Sequence, residues 1–339
     1  MKRSFVFLTI TLLLSFSRVS AEEPVHIYGI HSWGFGANGL MHGKRGWSVE
    51  VINTDPFAWD PTPSDIQNVV NEDFEVILRI NKIFGESVPR NSSEWDSFAQ
   101  KCADKVNLFK QHCHIWIIGN EMNADFEGNI PVGNYVEVFR RCRLQIKSVQ
   151  PEAKVICAAV APWNASQTGA GPYPTNRQWL NYMYEMVHTL NDDTDGYAIH
   201  AYGGRGGDSD PRDDNEMGFG VFKRWMEIID GNPYAVTKPV YLTEMNHAAD
   251  GQGSTPGYPL YSYPAGYIQK LFEAINDWNI THAHRIQCAC WFAYANGGFP
   301  GYNITLNSQM SADFSYTTLN SDYYNRLLAV TPASWIVYE

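Results

Sequence analysis

Several features that would indicate a nucleic-acid, membrane or zinc-binding protein are missing from this chain of 339 residues. Lysine and arginine form no cluster, and the acidic excess gives a formal net charge of −11, so a phosphate backbone is not an expected partner. No apolar run reaches the roughly 20 residues that a membrane-spanning helix needs. The six cysteines form no Cys-x-x-Cys pair. We therefore expect no metal, no cofactor, no nucleic acid and no membrane partner.

Two further absences concern domain organisation. No linker rich in proline or serine divides the chain, so we expect one domain over residues 22–339. The glycines of residues 34–39 do not have the spacing of the phosphate-binding turn that follows the first strand of a doubly wound open sheet. This absence favours a closed barrel over that open sheet.

The first 21 residues have the pattern of a signal peptide. Lys2 and Arg3 precede an apolar run from Phe5 to Phe16, and residues 19–21 read Val-Ser-Ala, with small residues at the expected cleavage positions. We therefore expect a secreted protein, extracellular or periplasmic. Export permits disulfides, and a bridge between Cys102 and Cys142, or one involving Cys113, is possible from their positions.

Beyond the leader, short apolar runs alternate with longer amphipathic stretches, which is typical of repeated βα units. Eight runs read as strands: 25–31, 47–53, 75–84, 114–121, 154–163, 196–202, 239–244 and 285–294. Apolar residues at three and four spacing predict helices over 93–111, 134–149, 176–190, 219–230 and 265–279, a shorter one over 64–71 and a closing one over 322–329. The sequence therefore predicts the α/β class and a single (β/α)8 TIM barrel with extended βα loops.

Catalytic groups in such a barrel lie where strands end and βα loops begin. Polar residues are found at nearly every predicted strand end, and two of them are glutamates that directly follow apolar strands. Glu121 closes the fourth strand in Gly-Asn-Glu, and Glu244 closes the seventh in Leu-Thr-Glu. Two glutamates facing each other across a sugar can act as acid/base and nucleophile in glycoside hydrolysis.

With these motifs in place, the chain resembles clan A of the retaining glycoside hydrolases, the cellulase-like barrels with catalytic glutamates on strands four and seven. The resemblance covers essentially the whole mature chain. It implies that Glu121 is the acid/base, that Glu244 is the nucleophile, and that Asn120 binds the 2-hydroxyl of the cleaved sugar. The expected reaction is double displacement on a β-linked glycan with retention of configuration.

Further substrate-binding residues follow from the same resemblance. His200 and Tyr202 match polar positions on strand six, and Trp291 matches an aromatic platform on strand eight. Arg79 resembles the arginine that supports the nucleophile, although that arginine closes the second strand in the clan and Arg79 lies on the third predicted strand here. Aromatic residues make up 14% of the chain, and we read Trp33 and Trp163 as residues that stack on sugars.

Two other classes of function stay open at this point. One is a barrel that binds sugar but has lost turnover. The other is a metal-dependent hydrolase, which the His-x-His pairs His112/His114 and His282/His284 suggest. Both pairs stand at the starts of their strands, opposite the glutamates, with no acidic partner evident in the sequence. The leading prediction is therefore a monomeric, secreted hydrolase acting on an oligo- or polysaccharide.

Overall fold

A computed structural model describes residues 22–32, 35–163, 166–203, 210–247, 263–295 and 299–326. Its eight parallel strands pair in sequence order, and the first pairs with the last, which closes the sheet into a barrel. The strands are β1 Tyr28–His31, β2 Gly46–Asn53, β3 Phe74–Asn81, β4 Ile115–Ile118, β5 Lys154–Cys157, β6 Tyr197–Gly203, β7 Val240–His247 and β8 Ile286–Phe292. The predicted (β/α)8 barrel is confirmed.

Helices connect and surround the strands. They are α1 Pro63–Asn71, α2 Trp95–Phe109, α3 Val132–Val149, α4 Leu180–Leu190, α5 Val221–Asp230, α6 Tyr267–Thr281 and α7 Ser308–Asn320. Among the described residues of the connection from β1 to β2, helical structure is limited to the short 3-10 turn Asn38–Leu40. None of the described helices is both long and apolar enough to span a bilayer.

Local chemistry explains these elements. In β4 the four residues Ile-Trp-Ile-Ile are buried on both sides, as expected for a parallel strand between the barrel interior and a layer of helices. Helix α1 begins at Thr62, whose side chain and backbone exchange hydrogen bonds with Asp65 in a capping box, with Pro63 in the first turn. Each of these signals is local, which is why the sequence predicts these elements at nearly the right residues.

The last helix is placed incorrectly by the sequence. The predicted helix over 322–329 is wrong for residues 322–326, which form an isolated bridge and a bend, and the remainder lies outside the described residues. The closing helix is α7, whose sequence includes five Ser or Thr residues. These residues compete with helical hydrogen bonding, so the helical pattern of α7 is weak.

Two backbone irregularities lie next to Glu121 and Glu244. A register shift between β6 and β7 pairs Ile199 with Leu242 and His200 with Glu244, so Thr243 is the extra residue of a bulge. At the end of β4, Gly119 has φ +86°, and a Cβ there would lie 3.1 Å from Val88 Cγ1. Both glutamate motifs therefore follow a backbone that departs from regular strand geometry.

All six cysteines lie among the described residues and are free, buried thiols. Cys102 in α2 and Cys142 in α3 are hydrogen-bonded neighbours, and burial followed by this contact raises the pKa of Cys102. The two helices therefore meet at the predicted pair, which is present here as two thiols rather than as a bridge. The predicted signal peptide, residues 1–21, lies outside the described residues.

Candidate active site

Glu121 and Asn120 lie in the turn that follows β4. Glu121 itself has φ +36°, an uncommon value for a residue with a side chain, and its N–H donates to Ala159 O at 3.0 Å. Both residues are more than nine-tenths buried. A strained backbone held by a neighbouring strand end fixes the direction of the Glu121 carboxyl group.

Glu244 lies within β7 and is 6% exposed. Its Oε1 accepts a hydrogen bond from Arg79 at 2.5 Å, and its Oε2 accepts one from the Tyr202 hydroxyl. Arg79 also donates to Asn120 Oδ1 at 2.7 Å. One guanidinium therefore joins the Glu244 carboxylate to the residue that precedes Glu121.

The position of Arg79 answers a question that the sequence left open. Residues 46–53 do form the barrel strand β2, so Arg79 belongs to β3, not to the second strand as the clan pattern would have it. It nevertheless reaches Glu244 across the barrel mouth. Arg79 therefore lies on a different strand from the arginine of the clan, whereas its contact with Glu244 is the one that the resemblance implies.

His200 contacts both carboxyl groups. Its Nδ1 is 2.9 Å from Glu121 Oε1 and 3.6 Å from Glu244 Oε2. These two oxygens are therefore separated by at most the sum of the two distances, about 6.5 Å, which is where the range for inverting glycosidases begins. The His200 carbonyl accepts from Trp225 Nε1 at 3.0 Å, which anchors the strand behind the ring.

The environment of Glu244 stabilises its charged form. Burial alone would raise the pKa of Glu244, but His200, Arg79 and His31, together with the Tyr202 hydrogen bond, hold this pKa at about 2. Burial lowers the pKa of His31 to about 3 against the opposing attraction of Glu244, so His31 is neutral at pH 7. Arg79 is therefore the permanent positive charge that offsets the Glu244 carboxylate.

Tyr202 is a donor that keeps its proton. Burial, then the nearby charges of Glu244 and Glu121, raises the pKa of Tyr202 well above its ordinary value. Its hydroxyl group therefore keeps its proton at neutral pH and donates a hydrogen bond to Glu244.

The three predicted stacking tryptophans differ in placement. Trp291 in β8 is fully buried, and its Nε1 donates to Tyr302 O at 3.3 Å, so neither face is open to a sugar in this conformation. Trp163 is half-buried, with Nε1 donating to Glu216 O at 2.8 Å and its ring packed edge-on against Trp179. Trp33 lies outside the described residues. Sugar stacking by all three therefore stays a prediction.

Two residues that sequence reasoning did not include in the site lie within it. His31, at the end of β1, brings Nε2 to 3.4 Å from Glu244 Oε1. Glu127, in the loop after β4, accepts a hydrogen bond from Asn120 at 2.9 Å. The strand-end position of His31 was a usable signal in the sequence. Glu127 had no such signal in the sequence, because it lies within a loop and not at a strand end.

The histidine pairs do have acidic partners, contrary to the sequence reading. His114 lies 3.1 Å from Glu23 and 3.2 Å from Glu75, and His284 lies 2.5 Å from Asp230. These contacts lie at the amino ends of the strands, opposite Glu121 and Glu244. Within the part of the chain that the structure describes, no group of three or more His, Cys, Asp or Glu residues is arranged to hold a metal ion.

Comparison with known proteins places this geometry in a structural context. No family model and no curated protein sequence matches the chain. Among solved structures, a GH128 (subgroup I) endo-β-1,3-glucanase from Amycolatopsis mediterranei, in complex with laminaritriose, is similar at 17% identity and TM-score 0.51, over 86% of this chain and 99% of that one.

Two further neighbours are hydrolases of other families. A family 39 glycoside hydrolase from Bacteroides cellulosilyticus WH2 is 14% identical with TM-score 0.57, over 87% of this chain and 63% of that one. A family 51 α-L-arabinofuranosidase from Bifidobacterium longum is 11% identical with TM-score 0.58, over 90% and 74%. At these identities the likeness shows the fold, a (β/α)8 barrel of the kind that glycoside hydrolases use.

Proposed function

We propose that this protein is a secreted, retaining β-glycoside hydrolase, with Glu244 as nucleophile and Glu121 as acid/base. The observation that carries the proposal is the pair of buried carboxyl groups that both contact His200 Nδ1 at the carboxyl end of the barrel. Solved structures of the same fold that are glycoside hydrolases support it. The export pattern of residues 1–21 supports secretion.

The proposed reaction has two steps. In the first, a Glu244 oxygen attacks the anomeric carbon while Glu121 gives its proton to the departing glycosidic oxygen, so that a glycosyl ester forms as the aglycone alcohol leaves. In the second, Glu121 takes a proton from water, whose oxygen attacks the same carbon and displaces Glu244. Two inversions restore the original configuration, and Glu121 is protonated again.

The contacts support this division of roles. Arg79 and the Tyr202 hydroxyl both donate to Glu244, and a pKa of about 2 keeps Glu244 ionised as a nucleophile requires. Arg79 makes no hydrogen bond to Glu121 among the described contacts, so the two glutamates stand in different electrostatic surroundings. Such asymmetry is what separates an acid from a nucleophile in a carboxyl pair.

The upper limit on the distance between Glu121 Oε1 and Glu244 Oε2 supports retention over inversion. Retaining enzymes hold their carboxyl groups about 5 to 5.5 Å apart, whereas inverting enzymes leave roughly 6.5 to 9.5 Å for a water molecule. The limit of about 6.5 Å that His200 sets for the nearest oxygens leaves little room for that water. A directly attacking Glu244 fits this space better.

Exposed aromatic rings on the loops that follow β2, β3 and β4 support an oligo- or polysaccharide substrate. Phe57 and Trp59 follow β2, Phe84 follows β3 and Phe126 follows β4, with exposed fractions of 38, 67, 70 and 57%. Backbone hydrogen bonds join these loops, from Thr54 N to Asn81 O and from Ser87 N to Glu127 O. Flat rings on adjacent loops suit the stacking of successive sugar units.

A glycan panel tests the proposal. Purified protein is incubated with β-glucans, mannans, xylans and activated aryl β-glycosides, and the products are analysed by anomeric NMR at early times. We expect hydrolysis of at least one β-linked substrate with retained configuration. Absence of any turnover would favour a barrel that only binds sugar, and an inverted first product would exclude double displacement.

Replacement of the nucleophile then assigns the residue. Glu244→Ala removes the attacking oxygen, so activity should be lost, and added azide should restore turnover of an activated aryl glycoside as the inverted glycosyl azide. Glu216→Ala, a change in an ion pair with Arg177 on a neighbouring loop, serves as the matched control and should retain activity. Near-normal activity of Glu244→Ala would mean that another group is the nucleophile.

A further inference from the structure

A third carboxyl group lies behind the proposed pair. Glu127 belongs to the 3-10 turn Asp125–Glu127, between β4 and α3, and its Oε1 accepts a hydrogen bond from Asn120 Nδ2 at 2.9 Å. Its backbone is fixed as well, because Ser87 donates to the Glu127 carbonyl from both its N–H, at 3.0 Å, and its hydroxyl, at 2.9 Å. The Oε2 atom is buried and has no hydrogen-bond partner among the described residues.

Asn120 is therefore held on both sides of its amide. Arg79 is a donor only, so the Asn120 atom that it contacts at 2.7 Å must be Oδ1, which leaves Nδ2 to face Glu127. An NH2 group carries two hydrogens, and Glu127 takes one of them. The second is not engaged in any hydrogen bond between described residues, and it is the donor that a sugar hydroxyl beside Glu121 would meet.

We propose that Glu127 is a positioning residue for the hydrolysis, holding the Asn120 amide in the one orientation that offers its free hydrogen to the 2-hydroxyl of the sugar. The inference rests on the proposed function and extends it to a residue outside the two motifs. Without Glu127, the amide is held only through the contact of its Oδ1 with Arg79, because no other described residue accepts from Nδ2.

The required interaction does not depend on the charge of Glu127. Burial, aided by Glu121 and Glu244, raises the pKa of Glu127 to about 7 against the opposing effects of Asn120 and Arg79, and Arg90 lies nearby beside Gly128. In the neutral acid, Oε2 carries the proton and Oε1 still accepts from Asn120. A glutamine at this position preserves the acceptor, whereas a shorter side chain does not reach it.

The test combines variants of Glu127 with removal of the substrate hydroxyl. The measured quantity is the ratio of kcat/KM for the best aryl glycoside of the panel to kcat/KM for its 2-deoxy analogue, since intrinsic reactivity cancels between variants. Asn120→Ala should lower the ratio about tenfold, as expected for the loss of one good hydrogen bond. Glu127→Ala should lower it to a similar extent, whereas Glu127→Gln should leave it within about threefold of the wild-type value.

Two controls separate positioning from damage to the fold. Glu127→Asp keeps the charge but shortens the reach by one methylene, so it should lower the ratio as Glu127→Ala does, and it replaces that variant if alanine prevents folding. Glu86→Ala changes a carboxylate of the neighbouring loop that pairs with Lys82, and it should leave the ratio unchanged. An injury to the fold lowers kcat/KM for both substrates equally and does not change their ratio.

The outcomes are distinguishable from failure of the proposed function. If wild-type protein hydrolyses neither substrate, the hydrolase assignment itself is wrong. If it hydrolyses both and the ratio is the same in Glu127→Ala, Glu127→Asp and wild type, Glu127 does not position Asn120 and the inference is overturned. A ratio that falls in Glu127→Gln as far as in Glu127→Ala would also overturn the inference, because the glutamine side chain keeps the oxygen that accepts from Asn120.

Discussion

Replacement of Arg79 by methionine tests the electrostatics of the site most sharply. Arg79 is the only Lys or Arg of the described chain that pairs with Glu244, at 2.5 Å, and both side chains are more than nine-tenths buried. Methionine has a similar length and shape but no charge and no donor. Arg79→Met therefore leaves the buried Glu244 carboxylate without its arginine partner, while much of the packing is kept.

The size of the effect follows from the pKa of Glu244. This pKa is about 2, against an ordinary value of 4.5, and a difference of about 2.5 units corresponds to roughly 3 kcal/mol. Arg79 supplies part of that stabilisation, and breaking a buried ion pair by removing one partner costs roughly 3–5 kcal/mol. We therefore expect Arg79→Met to lower the free energy of unfolding at pH 7 by roughly 3 kcal/mol.

The pH dependence separates charge from packing. A carboxylate with a depressed pKa in the folded state contributes stability above pH 4.5, and that contribution is lost as pH falls towards 2. The difference in the free energy of unfolding between wild type and Arg79→Met should therefore be largest at pH 7 and should become smaller below pH 4.5. Urea denaturation at pH 7 and at pH 3 measures it. Arg79→Lys, which keeps the positive charge, should show a smaller loss at pH 7.

An equal difference at both pH values would refute this reasoning, because it would mean that Arg79 stabilises the protein through packing alone. The acid limb of kcat/KM gives an independent check. Loss of the cation should move that limb upward in pH, since Glu244 must be ionised to attack. A limb that stays in place would show that Arg79 does not control the ionisation of the nucleophile.

Four further predictions follow from single contacts. Tyr202→Phe removes a donor to Glu244 and should lower kcat about tenfold with little effect on folding, as measured on an aryl glycoside. Gly119→Ala adds a Cβ at φ +86° and 3.1 Å from Val88, so urea denaturation should show a loss of about 1–2 kcal/mol. Glu127→Gln should stabilise the protein at pH 8 but not at pH 4. The pKa of Glu127 is raised to about 7, so the free energy of unfolding of the wild type falls as pH rises from 4.5 to 7, and the neutral glutamine avoids this loss. Equal shifts of the melting temperature at both pH values would contradict this. Trp59→Ala should lower kcat/KM for a polysaccharide but not for an aryl glycoside. Tyr316 is a similarly exposed ring on α7, and Tyr316→Ala should change neither value.

The barrel was predictable because its signals are local. Buried parallel strands such as β4 appear as short apolar runs, and the polar residues that follow them mark the carboxyl ends, so Glu121 and Glu244 could be assigned to one rim from order alone. Helix α7 shows where such reasoning fails. Its serines and threonines give little helical pattern, and packing of Phe314 and Met310 into the core stabilises it instead.

The details of the site depend on closure of the barrel and so were not predictable. Whether Trp291 presents a face or is buried depends on the loops around it, here through its contact with Tyr302. The link from Glu127 through Asn120 to Arg79 joins a loop residue to two strand ends. Arg79 lies one strand beyond the position that the clan pattern suggests, and its long side chain makes the contact with Glu244 despite that difference.

The most direct test of the central claim is to trap the glycosyl-enzyme. A 2-deoxy-2-fluoro glycoside with a good leaving group, of the sugar identified by the panel, slows the second step more than the first, so the ester accumulates. Intact mass should increase by one fluoroglycosyl unit, and peptide mapping should place that unit on Glu244. A label on another residue would contradict the assignment of Glu244, and no label under conditions of measurable turnover would contradict a covalent mechanism.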